Sequence, residues 1–117
     1  MLPKKFRLTV DRFNQIPQKS KERGYIFLNI KVKNTDDDFP KFVFLVPKFL
    51  DKRSSTRHLT KRIVEELVRE KIPNIKNPMN FLIKPKKIIL KTDRQKVGEE
   101  LDSLFDKLRG MMSIIEP

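Results

Sequence analysis

The sequence has no cysteine and no tryptophan, one histidine, and three glycines among 117 residues. Each shortage removes a class of chemistry. Without cysteine there are no disulfides and no thiol nucleophile, and a cytoplasmic protein is the expectation. The single His58 cannot supply the two imidazoles of a histidine-pair ribonuclease, and with no cysteine to help it cannot complete a structural zinc site. A Ser-His-Asp triad is numerically possible with Ser54 or Ser55, but no spacing signals one. Gly24, Gly98 and Gly110 are too scattered to cradle a phosphate. Long apolar runs are missing too: no stretch approaches the ~20 residues of a membrane-spanning helix. The start, "MLPKKFRLTV", lacks the roughly 7–15-residue apolar block of a signal peptide.

What is present in excess is positive charge. Lys and Arg total 27 against 15 Asp and Glu, a net charge of +12. A polyanion is the natural partner, and nucleic acid fits better than a membrane, because neither long helix reads as a basic amphipath with exposed aromatics. The length suits one domain, 1–117, with a single core. Charged residues make up 36% and apolar ones 38%, yet Ile, Leu, Val and Phe recur in periodic blocks, as in a folded chain and unlike a disordered one.

Periodicity sets out the elements. Phe13 and Ile16 anchor a short first helix, capped by Thr9 or Asp11 and stopped by Pro17. "GYIFLNIKVKN" alternates as a strand over 24–34, with Ile26, Leu28, Ile30 and Val32 on one face and Tyr25, Phe27, Asn29, Lys31 and Lys33 on the other. "TDDDFP" reads as a hairpin loop, and "KFVFLVPKFL" as a second strand, central because it is nearly all apolar. A helix over 54–72 carries the stripe Leu59, Ile63, Val64, Leu67 and Val68. "MNFLIKPKKIIL" is a third strand, broken or ended at Pro85. The last helix follows "TDRQ", where Thr92 and Gln95 match a capping box, and buries Val97, Leu101, Leu104, Phe105, Leu108 and Met112. A strand–helix–strand unit flanked by helices makes an α+β sandwich the leading architecture.

The helix at 54–72 carries its charges in the wrong order. Lys52, Arg53, Arg57, Lys61 and Arg62 gather at its start without an intervening acid, whereas Glu65, Glu66 and Glu70 lie in its second half. The helix dipole favours the reverse by ~0.3–1 kcal/mol per well-placed charge. The final helix follows the favourable order, so the chain is able to write it. The reversal makes sense if this end meets phosphates, since helix N-terminal amides and cations then act together. The blander reading is a solvated basic face.

Two other clusters stand out. Tyr25 and Phe27 beside Lys31 and Lys33 suit stacking of unpaired bases with backbone contacts nearby, and Phe13 admits the same two readings. Core packing of the aromatics is the equal alternative. Asp36, Asp37 and Asp38 are adjacent on a loop, which suits a solvated tip better than a Mg²⁺ site, and no metal ligand is assigned.

In this order the residues resemble the protein subunit of bacterial ribonuclease P along nearly the whole chain. That family opens with "L-x-K-x-x-R-L" and "D-F-x-x-V-F", where this chain has "LPKKFRL" and "DRFNQIP". Its "V-x-x-S-V-S-K-K" is matched by "FVFLVPKF", and its signature "R-N-R-x-K-R" by Arg57, His58, Leu59, Thr60, Lys61 and Arg62. Its "A-R-P" is matched by Ile83, Lys84 and Pro85. There are departures: His58 replaces an Asn, Leu59 an Arg, Pro47 a Ser, Val43 a Gly and Phe49 the second paired Lys, while Pro17 stands where a leader-contacting Phe is expected.

The resemblance implies a two-layer α/β sandwich in the order αβββαβα with a left-handed β-α-β crossover, like the second domain of a small-subunit ribosomal protein. It implies a subunit of a ribonucleoprotein endoribonuclease that removes 5′ leaders from precursor tRNA, with catalysis by the RNA, Mg²⁺ held mainly by that RNA, and no catalytic residue on the protein. Lys48, Lys52, Arg53, Arg57, His58, Lys61 and Arg62 would meet the ribonuclease P RNA, and Arg12, Phe13, Tyr25, Phe27 and Lys31 the leader. The protein would be cytoplasmic, free of membranes, and monomeric outside the ribonucleoprotein. The alternatives are a non-enzymic RNA- or ribosome-associated protein of the same fold, and a basic adaptor for a protein partner.

Overall fold

The computed structural model describes residues 2–35, 37–75 and 77–115, with side chains up to Leu108. The chain runs α1 (Val10–Gln15), β1 (Lys21–Gly24), β2 (Leu28–Asn34), β3 (Lys41–Phe44), α2 (Ser54–Lys71), β4 (Met79–Pro85) and α3 (Arg94–Ile115). Short 3-10 turns precede α1, α2 and α3. The expected αβββαβα sequence of elements is therefore present. The sheet order is β1-β2-β4-β3. β1 and β2, and β2 and β4, are antiparallel, whereas β3 and β4 are parallel and joined through α2.

Alternation decides the two faces of the sheet. Leu28, Ile30 and Val32 of β2 and Phe81 and Ile83 of β4 point to the side covered by α2 and α3, where Ile63, Val64, Leu67, Val68, Val97, Leu101 and Leu104 close the main core. Phe42 stacks on Phe81 at 4.9 Å between centroids, and Phe81 meets Phe105 edge-on at 5.6 Å. Full burial of such a side chain contributes roughly 1.5–3 kcal/mol. Thr60, fully buried on α2, accepts the Ile89 amide at 3.1 Å and ties the helix to the β4–α3 connection. On the opposite face α1 covers only one corner, where Phe13 packs on Val43 and Leu82.

Both helical stripes and the Thr9 cap stand as expected: the Thr9 hydroxyl accepts the Arg12 amide at 3.1 Å. Met112 lies outside the described side chains. Other expectations need correction. The strand read over 24–34 is a hairpin: β1 ends at Gly24, the chain turns at Tyr25–Phe27, and β2 starts at Leu28. The turn resets the alternation, so Ile26 is 71% exposed and Phe27 enters the core. β3 is an edge strand, not a central one; its apolar residues face helices on both sides, and the Leu8 amide bonds to Phe42 O along its outer edge. β2 and β3 are separated by β4, so "TDDDFP" is a connection and not a hairpin loop. Before α3, Asp93 accepts the Leu90 amide at 3.0 Å in place of the Thr92–Gln95 box.

Candidate nucleic-acid interface

The start of α2 lacks a side-chain cap and has no acid in its first turn. Its basic residues fall into four groups. Arg53 is tied to Asp51, whose carboxylate also accepts the Arg53 amide at 2.8 Å; the arginine's side-chain bonds hold the Asp51 carboxyl below its ordinary value. Lys61 lies 3.8 Å from Glu65, too long for a strong ion pair. Lys52, His58 and Arg62 are exposed, and no described carboxylate pairs with Lys52 or Arg62. Arg57 is half-buried, its Nε inaccessible and without a hydrogen-bond partner among the described residues. Ser54, Ser55, His58, Leu59 and Arg62 form a shallow dish on this end.

The acids in the second half of α2 have another employment. Arg94 of α3 bridges Glu66 at 3.1 Å and Glu70 at 2.7 Å, and Lys71 pairs with Asp102 at 2.7 Å. The reversed charge order thus has two causes: the acids fasten α2 to α3, and the amino end is left basic.

A second basic surface lies on the sheet face that α1 leaves open. Asn29, Lys31 and Lys33 of β2 oppose Lys84, Leu82 and Asn80 of β4 in register, which puts all six on that face. Lys31 and Lys84 are exposed, and Arg12 is exposed on α1 at its border. Lys33 is buried and donates to Phe13 O and Ile16 O, so it holds α1 and is withdrawn from solvent. Two of the candidate leader aromatics are corrected here: Phe13 is 1% exposed and Phe27 7%, so neither ring is open for stacking. Tyr25 is half-buried against the main core, its hydroxyl without a described partner. The acids Asp37 and Asp38 are exposed; Lys41 pairs with Asp37 at 2.8 Å and its hydrogen bond lowers the Asp37 carboxyl, while Asp36 lies outside the described residues.

A protein-family model described as Ribonuclease P matches residues 2–109. The chain belongs to the ribonuclease P protein family. It is accordingly an RNA-binding protein subunit of ribonuclease P, which acts in tRNA processing. No curated protein matches the sequence. Among solved structures, the ribonuclease P protein of Staphylococcus aureus, as a mutant with defective mRNA degradation activity, superposes with a TM-score of 0.73 at 14% identity, covering 91% of this chain and 90% of that one. The ribonuclease P protein of Thermotoga maritima, in complex with 1-(4-fluorophenyl)-2-thiourea, gives 0.62 at 21% identity, covering 94% and 100%. At these identities the structures establish a shared fold. No helix among the described residues is long and apolar enough to cross a membrane.

Within this ribonuclease P protein the signature residues Arg57, Lys61 and Arg62 fall on the first half of α2, whereas Leu59 packs against the core and Thr60 is buried. Lys48 is exposed on the 3-10 turn before α2. Two functional candidates escaped sequence reasoning. Lys84 was legible in principle, because the alternation of β4 sets it on the side of Leu82, away from Phe81 and Ile83. Asp51, an acid beside the basic end, was hidden inside "LDKR" because nothing in the sequence shows that it turns back on Arg53.

Proposed function

We propose that this ribonuclease P subunit docks the catalytic RNA on the amino end of α2 and the 5′ leader of precursor tRNA on the open sheet face beside α1. The observation that carries the reading is the group of exposed Lys52 and Arg62 and half-buried Arg57, with exposed His58 among them, at the positive end of α2, with only Arg53 firmly answered by a carboxylate. The open face supports the second half: Lys31 and Lys84 on the sheet and Arg12 on α1 at its border supply positive charge. In this reading, bond cleavage belongs to the RNA. Mg²⁺ is assigned to that RNA, as the family resemblance implies, and no step is routed through the protein. The protein offsets phosphate repulsion between catalytic and substrate RNA. It acts in the cytoplasm and is monomeric outside the complex.

The deciding experiment measures binding of ribonuclease P RNA against salt for the wild type and for Arg57→Ala with Arg62→Ala. Each lost phosphate contact flattens the plot of log K against log salt by about 0.7–0.9, so the pair should remove roughly one to two units. An unchanged slope takes α2 out of the interface. Precursor tRNA cleavage at low Mg²⁺ with and without the protein tests the activity: binding that brings no stimulation would leave an RNA-binding protein outside the processing reaction.

A further inference from the structure

The most exposed large apolar side chain among the described residues is Phe49, at 82%. It sits in the 3-10 turn Lys48–Leu50, between β3 and α2. Single exposed apolar residues are ordinary on protein surfaces. Three observations set this one apart. Pro47 leads into the turn, the Leu50 amide closes it on Pro47 O at 3.3 Å, and the turn packs against α2, so the ring is presented on a fixed support. From Lys48 to Arg53 the other exposed residues, Lys48, Lys52 and Arg53, are all cations, while Leu45, just before the turn, is exposed at 39%. The turn leads directly into the helix end that carries Arg57 and Arg62.

A flat ring set among cations fits a partner that is both anionic and rich in π faces. Single-stranded nucleic acid has both, whereas duplex RNA hides its base faces and a folded protein partner would have to desolvate Lys48, Lys52 and Arg53 to cover the ring. We infer that Phe49 is a stacking platform for an unpaired base of the RNA docked on α2. The inference rests on the placement of RNA at α2 proposed above and adds its single-stranded character at this point. Lys52 and Arg62 would hold the flanking phosphates while the ring takes the base.

The absence of tryptophan makes the test direct, because a Phe49→Trp variant carries the chain's single indole. The probes are a single-stranded oligoadenylate, an abasic oligomer of equal length and charge, and a duplex. The indole should be quenched by the oligoadenylate and not by the other two. Phe49→Ala should weaken oligoadenylate binding about tenfold, the ~1.4 kcal/mol of one decade and within the ~1–3 kcal/mol of one stacked base, with abasic binding and the salt slope unchanged. Because the ring is exposed, thermal unfolding should match the wild type. Equal quenching by the abasic oligomer, or undiminished affinity of Phe49→Ala, overturns the inference. So does loss of self-association of the RNA-free chain in Phe49→Ala with RNA binding intact, which would make the ring a contact between copies. If Arg57→Ala with Arg62→Ala flattens the salt slope while Phe49→Ala does nothing, stacking alone falls; if neither changes anything, RNA docking on α2 falls with it.

Discussion

The Lys33 ammonium on β2 donates to the carbonyl oxygen of Phe13 at 2.8 Å, and the same nitrogen reaches Ile16 O at 3.0 Å and sits 4.6 Å from the centre of the Phe13 ring. One buried cation thus satisfies the carbonyl end of α1, a helix of six residues that is too short to hold itself together. Lys33→Met keeps the length of the side chain and removes the donor. Hydrogen bonds to a charged group contribute roughly 1.5–3 kcal/mol, so stability in urea should fall by about 2 kcal/mol. Amide exchange should quicken in α1 ahead of β2 and β4. Unaltered protection of α1 would show that Phe13 alone anchors it.

If the leader lies on the open sheet face, Lys31 and Lys84 carry it while the aromatics support the fold. Lys31→Ala with Lys84→Ala should weaken binding of leader-bearing precursor tRNA more than mature tRNA, with the salt slope for the precursor lower by about 1.4, at ~0.7 per single-strand contact. Phe27→Ala should behave differently. Its ring is in the main core beneath Lys87, so the change should cost about 3 kcal/mol of stability and reduce both affinities alike. Leader-selective loss from Phe27→Ala at unchanged stability would return the ring to the binding surface.

The contrast between Phe27 and the helical stripes shows what the sequence made legible. In α2 and α3 the apolar period persists over several turns, and Ile63, Val64, Leu67, Val68, Leu101 and Leu104 are all buried as the spacing requires. The strand region fails where the chain folds back without an Asn-Gly or similar turn signal. Gly24 through Leu28 read as continuous alternation, and β1, "KERG", is an edge strand of polar residues that offers no apolar period at all. β3 misled for the opposite reason: apolar residues on both faces mimic a central strand when helices cover an edge strand from two sides. The basic end of α2 was legible from charge order alone. Which of its cations are free was not, because Asp51 and Glu65 act through geometry.

Arg94 explains why the acids of α2 lie where they do. It reaches Glu66 and Glu70 one helical turn apart, with all three side chains substantially exposed. Exposed pairs are weak, so Arg94→Ala should lower stability by about 0.5–1 kcal/mol in low salt and by less as salt is raised. RNA affinity should be almost unaffected, since the tie lies toward the carboxyl end of α2. A large loss of RNA binding would instead show that the position of α3 governs the basic end.

Asp51 is the carboxylate that restrains the candidate interface, and removing its charge should strengthen RNA binding. Asp51→Asn loses the ionic bond to Arg53 Nη2 at 3.1 Å and leaves the guanidinium free for phosphate, adding up to about 0.7–0.9 to the salt slope. The same variant should lose some stability, in a pH window set by the sign of the shift. The Asp51 carboxyl is lowered in the folded protein from an ordinary value of 3.8, chiefly by the side-chain hydrogen bond from Arg53, so its contribution is fully present above that value and disappears as the pH falls through the lowered one. Stability curves for wild type and Asp51→Asn should therefore run apart at neutral pH and converge in acid. Tighter RNA binding with a steeper slope places Arg53 in the interface; unchanged binding at the lower stability limits the Asp51–Arg53 pair to shaping the entry into α2.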